Sequence, residues 1–198
     1  MKAVMISIRP EWCEKIASGE KTVEVRKTRP KIEPPFRCYI YCTKGKGDCL
    51  WRWNGIWYDT QDPKHRPNRL DGMVIGEFVC RWIRRESEVA LGLVDVVLEK
   101  TSCMDYRQIM DYADGGDLYT WNISDLVIYD KPKRLSEFYS EGDCDCMNCR
   151  KCAWFDAGNG YNVEDDCKLA YKGIRDKKTY KPIIRPPQSW CYVEEVTK

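Results

Sequence analysis

The sequence predicts an α+β protein that is mainly β: an antiparallel barrel of short strands, with a helix after the first strand and a cysteine-rich insertion. Three observations carry this. Apolar residues recur with period two in many short runs, whereas helical periodicity is confined to brief stretches. Several short strands with few helices favour an antiparallel barrel. Five of the 12 cysteines crowd into residues 144–167 of the 198-residue chain, in a segment with little apolar periodicity.

Taken in order, Val4, Ile6 and Ile8 alternate with Met5, Ser7 and Arg9, the pattern of a half-buried strand. Pro10 suits the first turn of a helix, where its missing N–H has no partner to lose. Trp12, Ile16 and Ala17 share one helical face, and Gly19 can end the helix in the left-handed conformation. A second strand puts Val23 and Val25 inward, with Thr22, Glu24 and Arg26 on the other side. Residues 36–42 read as a third, aromatic-rich strand. Asn54-Gly55 between Trp51-Arg52-Trp53 and Ile56-Trp57-Tyr58 signals a tight hairpin, and the polar stretch with Pro63 and Pro67 signals a loop. Residues 73–83 are the clearest central strand and 93–98 a further one. A short helix over 103–112 leads to the turn Asp114-Gly115-Gly116-Asp117. Residues 121–129 form another strand, stopped by Lys131-Pro132, then a short turn over 135–139 and a last strand over 189–194.

The chain is expected to be one domain, residues 1–198, with insertions at about 44–70 and 141–185. Hydrophobic residues at 43% and charged ones at 32% describe a soluble globular protein. No apolar run approaches the roughly 18 residues that span a bilayer, and no signal-peptide core precedes the first strand, so a cytoplasmic protein without a membrane partner is expected. Net charge is only +2, but it is unevenly spread. Residues 1–85 hold 18 Lys and Arg against 10 Asp and Glu, and residues 86–198 hold 15 against 21. Such asymmetry suits one face to a polyanion, unless the fold mixes the two halves.

In a reducing compartment, twelve cysteines are thiols or metal ligands. Cys146, Cys149, Cys152 and Cys167 are the expected ligands of one structural zinc, with Cys144 as a substitute for Cys146. C-x-x-C brings two thiolates to one tight turn, and a metal would supply the folding energy this polar segment lacks. The plainer alternative is a loop of free thiols. Cys13, Cys38, Cys42, Cys80 and Cys191 fall in strand or helix patterns and read as core, with Cys13 weighed as a reactive thiol because it neighbours basic residues.

The basic residues gather in Gly19-Glu20-Lys21-Thr22-Val23-Glu24-Val25-Arg26-Lys27, beside Arg9. Cations flanking one carboxylate can form an anion site, with Arg26 gripping phosphate through its planar fork and Lys21 and Lys27 adding point charge. The stretch ISIRPEWCEKIASGEKTVEVRK resembles the opening of ASCH-domain proteins. WNISDLVIYDKPKRLSEF and PPQSWCYVEE resemble a phage- and Firmicute-associated branch of that family. The resemblance implies a PUA-like barrel plugged at one end by the helix after strand one. It also implies a ligand mouth that the tail at Gln188-Ser189-Trp190 closes.

ASCH members that hydrolyse N(4)-acetylcytidine use a lysine, a threonine three residues later and a distant glutamate. Lys21 matches the first, Glu24 stands in place of the threonine, and Glu77 is the nearest guess for the third. A carboxylate at position 24 weakens the amidohydrolase reading, since it would pair with Lys21 and hold its proton. The leading expectation is therefore an RNA- or nucleotide-binding protein, its ligand held by Arg9, Trp12, Lys21, Glu24, Arg26, Lys27 and Ser189. The first alternative is a hydrolase of a modified nucleoside or of RNA, with Lys21 and Glu24 as its catalytic pair. The second is a non-catalytic interaction protein of phage type. Two plainer readings stand beside these: a surface ion-pair ladder for Lys21, Glu24 and Arg26, and a core role for Trp12. The Trp51/Trp53/Trp57 hairpin reads equally as a base-stacking platform or as packing on the barrel.

Overall fold

The computed structural model describes residues 2–44, 51–53, 56–58, 70–142 and 179–196, of which 51–53, 56–58, 141–142 and 179–180 by their backbone alone. Strand β1 (Lys2–Ile8) runs into helix α1 (Pro10–Ala17), whose first residue is the proline and whose end is set by Gly19 at φ +82°. Strand β2 (Val23–Arg26) and strand β3 (Phe36–Cys42) follow, then the hairpin β4 (Trp51–Trp53) and β5 (Ile56–Tyr58). Trp51 pairs with Tyr58 and Trp53 with Ile56; Asn54 and Gly55 lie outside the described residues. Strand β6 (Val74–Cys80) gives way to β7 (Ile83–Glu86), a 3-10 turn (Ser87–Leu91) and helices α2 (Val96–Ser102) and α3 (Tyr106–Ala113). Strands β8 (Leu118–Asn122), β9 (Ser124–Lys133), β10 (Tyr139–Gly142), β11 (Thr179–Pro182) and β12 (Trp190–Glu194) complete the order.

Five strands form one sheet in the order β12-β1-β3-β6-β9, and three form another in the order β2-β8-β7. Among the described residues every pairing is antiparallel except β1 with β3, because α1 and β2 carry the chain across between them. The expected α+β, mainly β architecture with a helix after the first strand is what the structure shows. Within the described ladders one central pair is parallel and the sheets are not closed. The chain passes from one sheet to the other twice at a shared corner: at Arg81-Trp82 between β6 and β7, and at Ile123 between β8 and β9. The corner is tied by Asn122 N–H to Trp82 O (3.1 Å) and Ile123 N–H to Thr22 O (3.0 Å).

The main core lies between the two sheets and under α1, with Val4, Ile6, Ile8, Cys13, Cys38, Phe78 and Trp121 buried in it. A second core covers the opposite face of the five-stranded sheet with Ala3, Met5, Tyr39, Phe138 and Ile183. A third sits between the outer face of β2 and the helices α2 and α3. β1 is therefore buried on both faces, not the half-buried strand its alternation predicts, since a central strand is covered from either side.

Three other elements differ from expectation. Residues 93–98 hold no strand: Asp95 caps α2, its Oδ1 accepting from Val97 N–H at 2.8 Å. The strand expected over 121–129 divides at Ile123, and its second part runs on through Pro132, which an edge strand tolerates because no ladder partner lies beyond it among the described residues. The strand expected over 73–83 likewise breaks where it changes sheets. Gly76 is fixed by close approach, since a Cβ there would lie 2.5 Å from Val127 O. No helix among the described residues is long and apolar enough to cross a membrane.

Candidate functional site

After Gly19 turns the chain out of α1, two main-chain bonds fix where Lys21 points. Lys21 N–H donates to Lys15 O (2.9 Å) at the end of α1, and Thr22 N–H donates to Thr101 O (2.9 Å) at the end of α2. The Lys21 side chain is thereby enclosed between the two helices, 2% exposed. Its Nζ donates to Ser102 O at 2.7 Å, lies 3.5 Å from Glu24 Oε2 and sits 5.1 Å from the centroid of the Trp12 ring. A carbonyl, a carboxylate and an aromatic face thus surround one ammonium group.

Glu24 and Arg26 do not face outward. Glu24 stands opposite Trp121 and Arg26 opposite Tyr119 on β8, and side chains paired across strands share a face. Both therefore point toward the main core, while Val25 packs into the third core against α2 and α3. The expected alternation along this strand is reversed because helices cover what looked like its outer side. Glu24 is 6% and Arg26 8% exposed. Arg26 Nε lies 2.9 Å from Glu24 Oε1, an ion pair whose N–H is not aligned for a hydrogen bond. Arg26 Nη2 donates to Ser7 O (2.6 Å) and Nη1 to Ser189 Oγ (3.3 Å).

The surface ladder is therefore excluded. Lys21, Glu24 and Arg26 are a buried network in which two cations share one carboxylate. Burial lowers the Lys21 pKa, and it outweighs the opposing effect of Glu24; Arg26 adds to the lowering. Glu24 acts in the expected direction, favouring the charged lysine, while burial acts against it.

Around this network lie the more open groups. Trp12 is half-buried, with Lys15 Nζ 5.4 Å from its ring centroid as well as Lys21. Lys27 is exposed and its Nζ sits 5.6 Å from the centroid of Tyr112, a half-buried residue of α3. Burial pushes the Tyr112 phenol pKa up, with Arg26 and the Lys27 main-chain amide acting against it. Arg9 is exposed and pairs with Glu11 at 3.6 Å, outside the buried network. The C-terminal segment is stitched across this end of the fold. Ser7 N–H donates to Ser189 O (2.9 Å), Ser7 Oγ to Pro187 O (2.7 Å) and Trp190 Nε1 to Thr28 Oγ1 (3.0 Å).

Glu77 belongs elsewhere. It is opposite Tyr39 on the far face of the five-stranded sheet, where it pairs with Arg37 and accepts from Tyr129 OH at 2.5 Å. A strand in the middle of a sheet puts alternate residues on opposite sides, and the Lys21 network is on the other one. Cys13 is buried core: its Sγ donates to Ile8 O at 3.6 Å and burial raises its pKa well above normal, so it is not a reactive thiol. Sequence reasoning missed Tyr112 and the Ser102 carbonyl. Tyr112 lies three residues after the buried Ile109, a helical spacing that was legible; nothing in the sequence marks a carbonyl. The cysteines at 144, 146, 149, 152 and 167, and the side chains of the tryptophan hairpin, lie outside the described residues.

The fold and this network together define a strand-rich domain with a cation–carboxylate–cation cluster built into its first β-α-β unit. The profile of the ASCH domain matches residues 6–153, and the chain belongs to that family. ASCH domains have a PUA-like β-barrel fold and generally bind RNA. Among solved structures, a tyrosine-to-phenylalanine variant of ZmASCH from Zymomonas mobilis aligns with a TM-score of 0.52 at 19% identity, covering 98% of this chain and 92% of that one. ASCH from Zymomonas mobilis aligns with a TM-score of 0.48 at 20% identity, covering 98% and 88%. The first of these likenesses supports the fold. No curated protein matches the chain.

Proposed function

We propose that this chain binds RNA, as a single strand, at the end of the fold where α1, β2, α3 and the C-terminal segment meet. The observation that supports this most is the interleaving of cations with half-buried rings: Lys15 and Lys21 on Trp12, and Lys27 on Tyr112. Stacking rings beside phosphate-pairing cations is the arrangement that holds unpaired bases and their backbone together. The buried network is the scaffold beneath. Arg26 is held by three partner atoms on three segments, so it fixes the opening's shape and field more than it reaches for ligand. Arg9, Lys27, Trp12 and Ser189 are the groups left to meet an incoming strand.

Because burial lowers the Lys21 pKa, a phosphate placed nearby would favour its charged form. Binding would then take up a proton, and affinity would fall as pH rises through the range in which free Lys21 loses its own. Fluorescence anisotropy with a labelled ten-nucleotide single strand and the matching duplex tests the reading. Trp12→Ala and Lys27→Ala should each weaken the single strand, by about tenfold or more for the ring. A Lys21→Ala, Arg26→Ala double variant should abolish binding, with circular dichroism checking that it folds. Equal affinity of these variants and the wild type for the single strand rejects the site.

One observation favours a second reading. A lysine whose pKa is lowered beside a carboxylate is a group suited to act as a base or nucleophile on a modified nucleoside. Glu24 would then orient Lys21 or activate water.

A further inference from the structure

Nine large apolar side chains are exposed among the described residues, and five of them fall within residues 91–106. Leu91 is 77% exposed, Leu93 62%, Val96 74%, Val97 63% and Tyr106 48%. They lie on neighbouring segments. Leu91 and Leu93 flank Gly92, whose carbonyl accepts from Tyr106 OH at 3.3 Å, and Val96 and Val97 open α2 one residue beyond Asp95. The backbone that presents them is well fixed: Leu93 N–H donates to Glu88 O at 2.9 Å, Asp95 caps α2 and Asp105 caps α3 with a reciprocal Gln108 contact. Their inward neighbours Val89, Leu98 and Ile109 already fill the third core, and among the described residues no core cluster includes these five. An apolar patch of this kind marks a surface that a partner covers.

Charge decides the partner. Residues 84–117 carry eight carboxylates against four cations, with Glu86 and Asp117 already paired to Arg84 and Arg85, and Glu88, Asp95 and Asp105 stand exposed beside the apolar residues. That rim repels RNA and anionic lipid. We propose that the Leu91–Leu93–Val96–Val97–Tyr106 surface docks a cationic amphipathic helix from a partner protein, its apolar stripe on the patch and its lysines or arginines over the acidic rim. The location gives such docking a consequence. α2 is seven residues, roughly 10 Å from end to end. Its first turn carries Val96 and Val97, and its last carbonyl holds Lys21. A partner seated there would lie one short helix away from the Lys21 network.

The probe is a 14-residue leucine–lysine peptide with leucines at helical spacing, compared with a peptide of the same composition in scrambled order and with a leucine–glutamate counterpart. Titrations on the full chain are read by tryptophan-independent fluorescence of a peptide label and by amide chemical-shift mapping. The expected result is binding of the first peptide alone, with shifts confined to about residues 87–107. Leu93→Glu and Val97→Glu should each weaken it at least tenfold, and Glu88→Lys should weaken it less. All three positions are exposed, and circular dichroism confirms that the variants fold. Equal binding of the scrambled peptide would reduce the surface to a charge effect and overturn the proposal. So would concentration-dependent dimerisation abolished by Leu93→Glu, which makes a second copy the occupant, or binding to vesicles of zwitterionic lipid lost in the same variant. RNA affinity is unaffected by whether this surface is real, so the two readings fail separately.

Discussion

Replacing Glu24 by glutamine tests the central physical claim, that two cations are stabilised inside the fold by one carboxylate. The amide keeps the shape and an acceptor but loses the charge. Lys21 and Arg26 remain 2% and 8% exposed, so neither can turn to water for compensation. Breaking one partner out of a buried ion network costs about 3–5 kcal/mol, against under about 1 kcal/mol for an exposed pair. Arg26 keeps its bonds to Ser7 O and Ser189 Oγ. Lys21 has an escape: it can shed its proton. Holding a lysine neutral at pH 7, against an unfolded pKa of about 10.4, costs at most roughly 4.6 kcal/mol, which caps its share. A lysine whose folded pKa lies below its unfolded value binds fewer protons folded than unfolded across the window between them. Stability therefore rises with pH across that window, and glutamine at position 24 extends the window downward. Urea unfolding followed by circular dichroism from pH 6.5 to 9.5 should show a deficit of about 3–5 kcal/mol near neutrality. The deficit should shrink by up to about 1.4 kcal/mol per pH unit as pH rises. A loss under about 1 kcal/mol, flat with pH, would mean that the three residues behave as a solvated surface pair and would refute the reasoning.

Other outcomes follow from the same geometry. Glu77→Gln removes the charge that faces Arg37 and Tyr129, with Glu195 still on Arg37, and should lower the midpoint of urea unfolding. Single-strand RNA affinity should stay at the wild-type value, because Glu77 faces the other side of the sheet; a change in affinity would return Glu77 to the site. Wild-type protein incubated with N(4)-acetylcytidine should release little or no cytidine by chromatography, since Glu24 stands where a hydroxyl nucleophile is needed; rapid, Lys21-dependent release would favour the hydrolase reading instead. We propose one structural zinc on Cys146, Cys149, Cys152 and Cys167, with Cys144 as the alternative fourth ligand. Elemental analysis of protein purified without chelator should find one zinc per chain, and chelation should lower thermal stability; no stoichiometric zinc would dismiss it.

The sequence by itself determined the opening β-α-β unit, because Pro10, the period-two valines and isoleucines and Gly19 act through local backbone preference. Phe36–Cys42 and the Asn54-Gly55 hairpin were legible for the same reason. It also determined which residues would gather, since Lys21, Glu24 and Arg26 lie within six positions on one turn and one strand. What it did not determine was which way they face. Val23, Glu24, Val25 and Arg26 are all buried, and a strand covered on both sides leaves no polar–apolar alternation from which to read its inner face. The partners that settle the network come from far along the chain: Ser102 O from α2, Ser189 Oγ from the C-terminal segment, Trp121 from β8. Only the tertiary structure decided that Lys21 is enclosed, that burial lowers its pKa against the pull of Glu24, that Glu77 is separated from it by a sheet, and that residues 93–98 hold exposed apolar side chains and a helix start instead of a strand. Those outcomes depend on which elements cover which, a long-range property that local spacing does not encode.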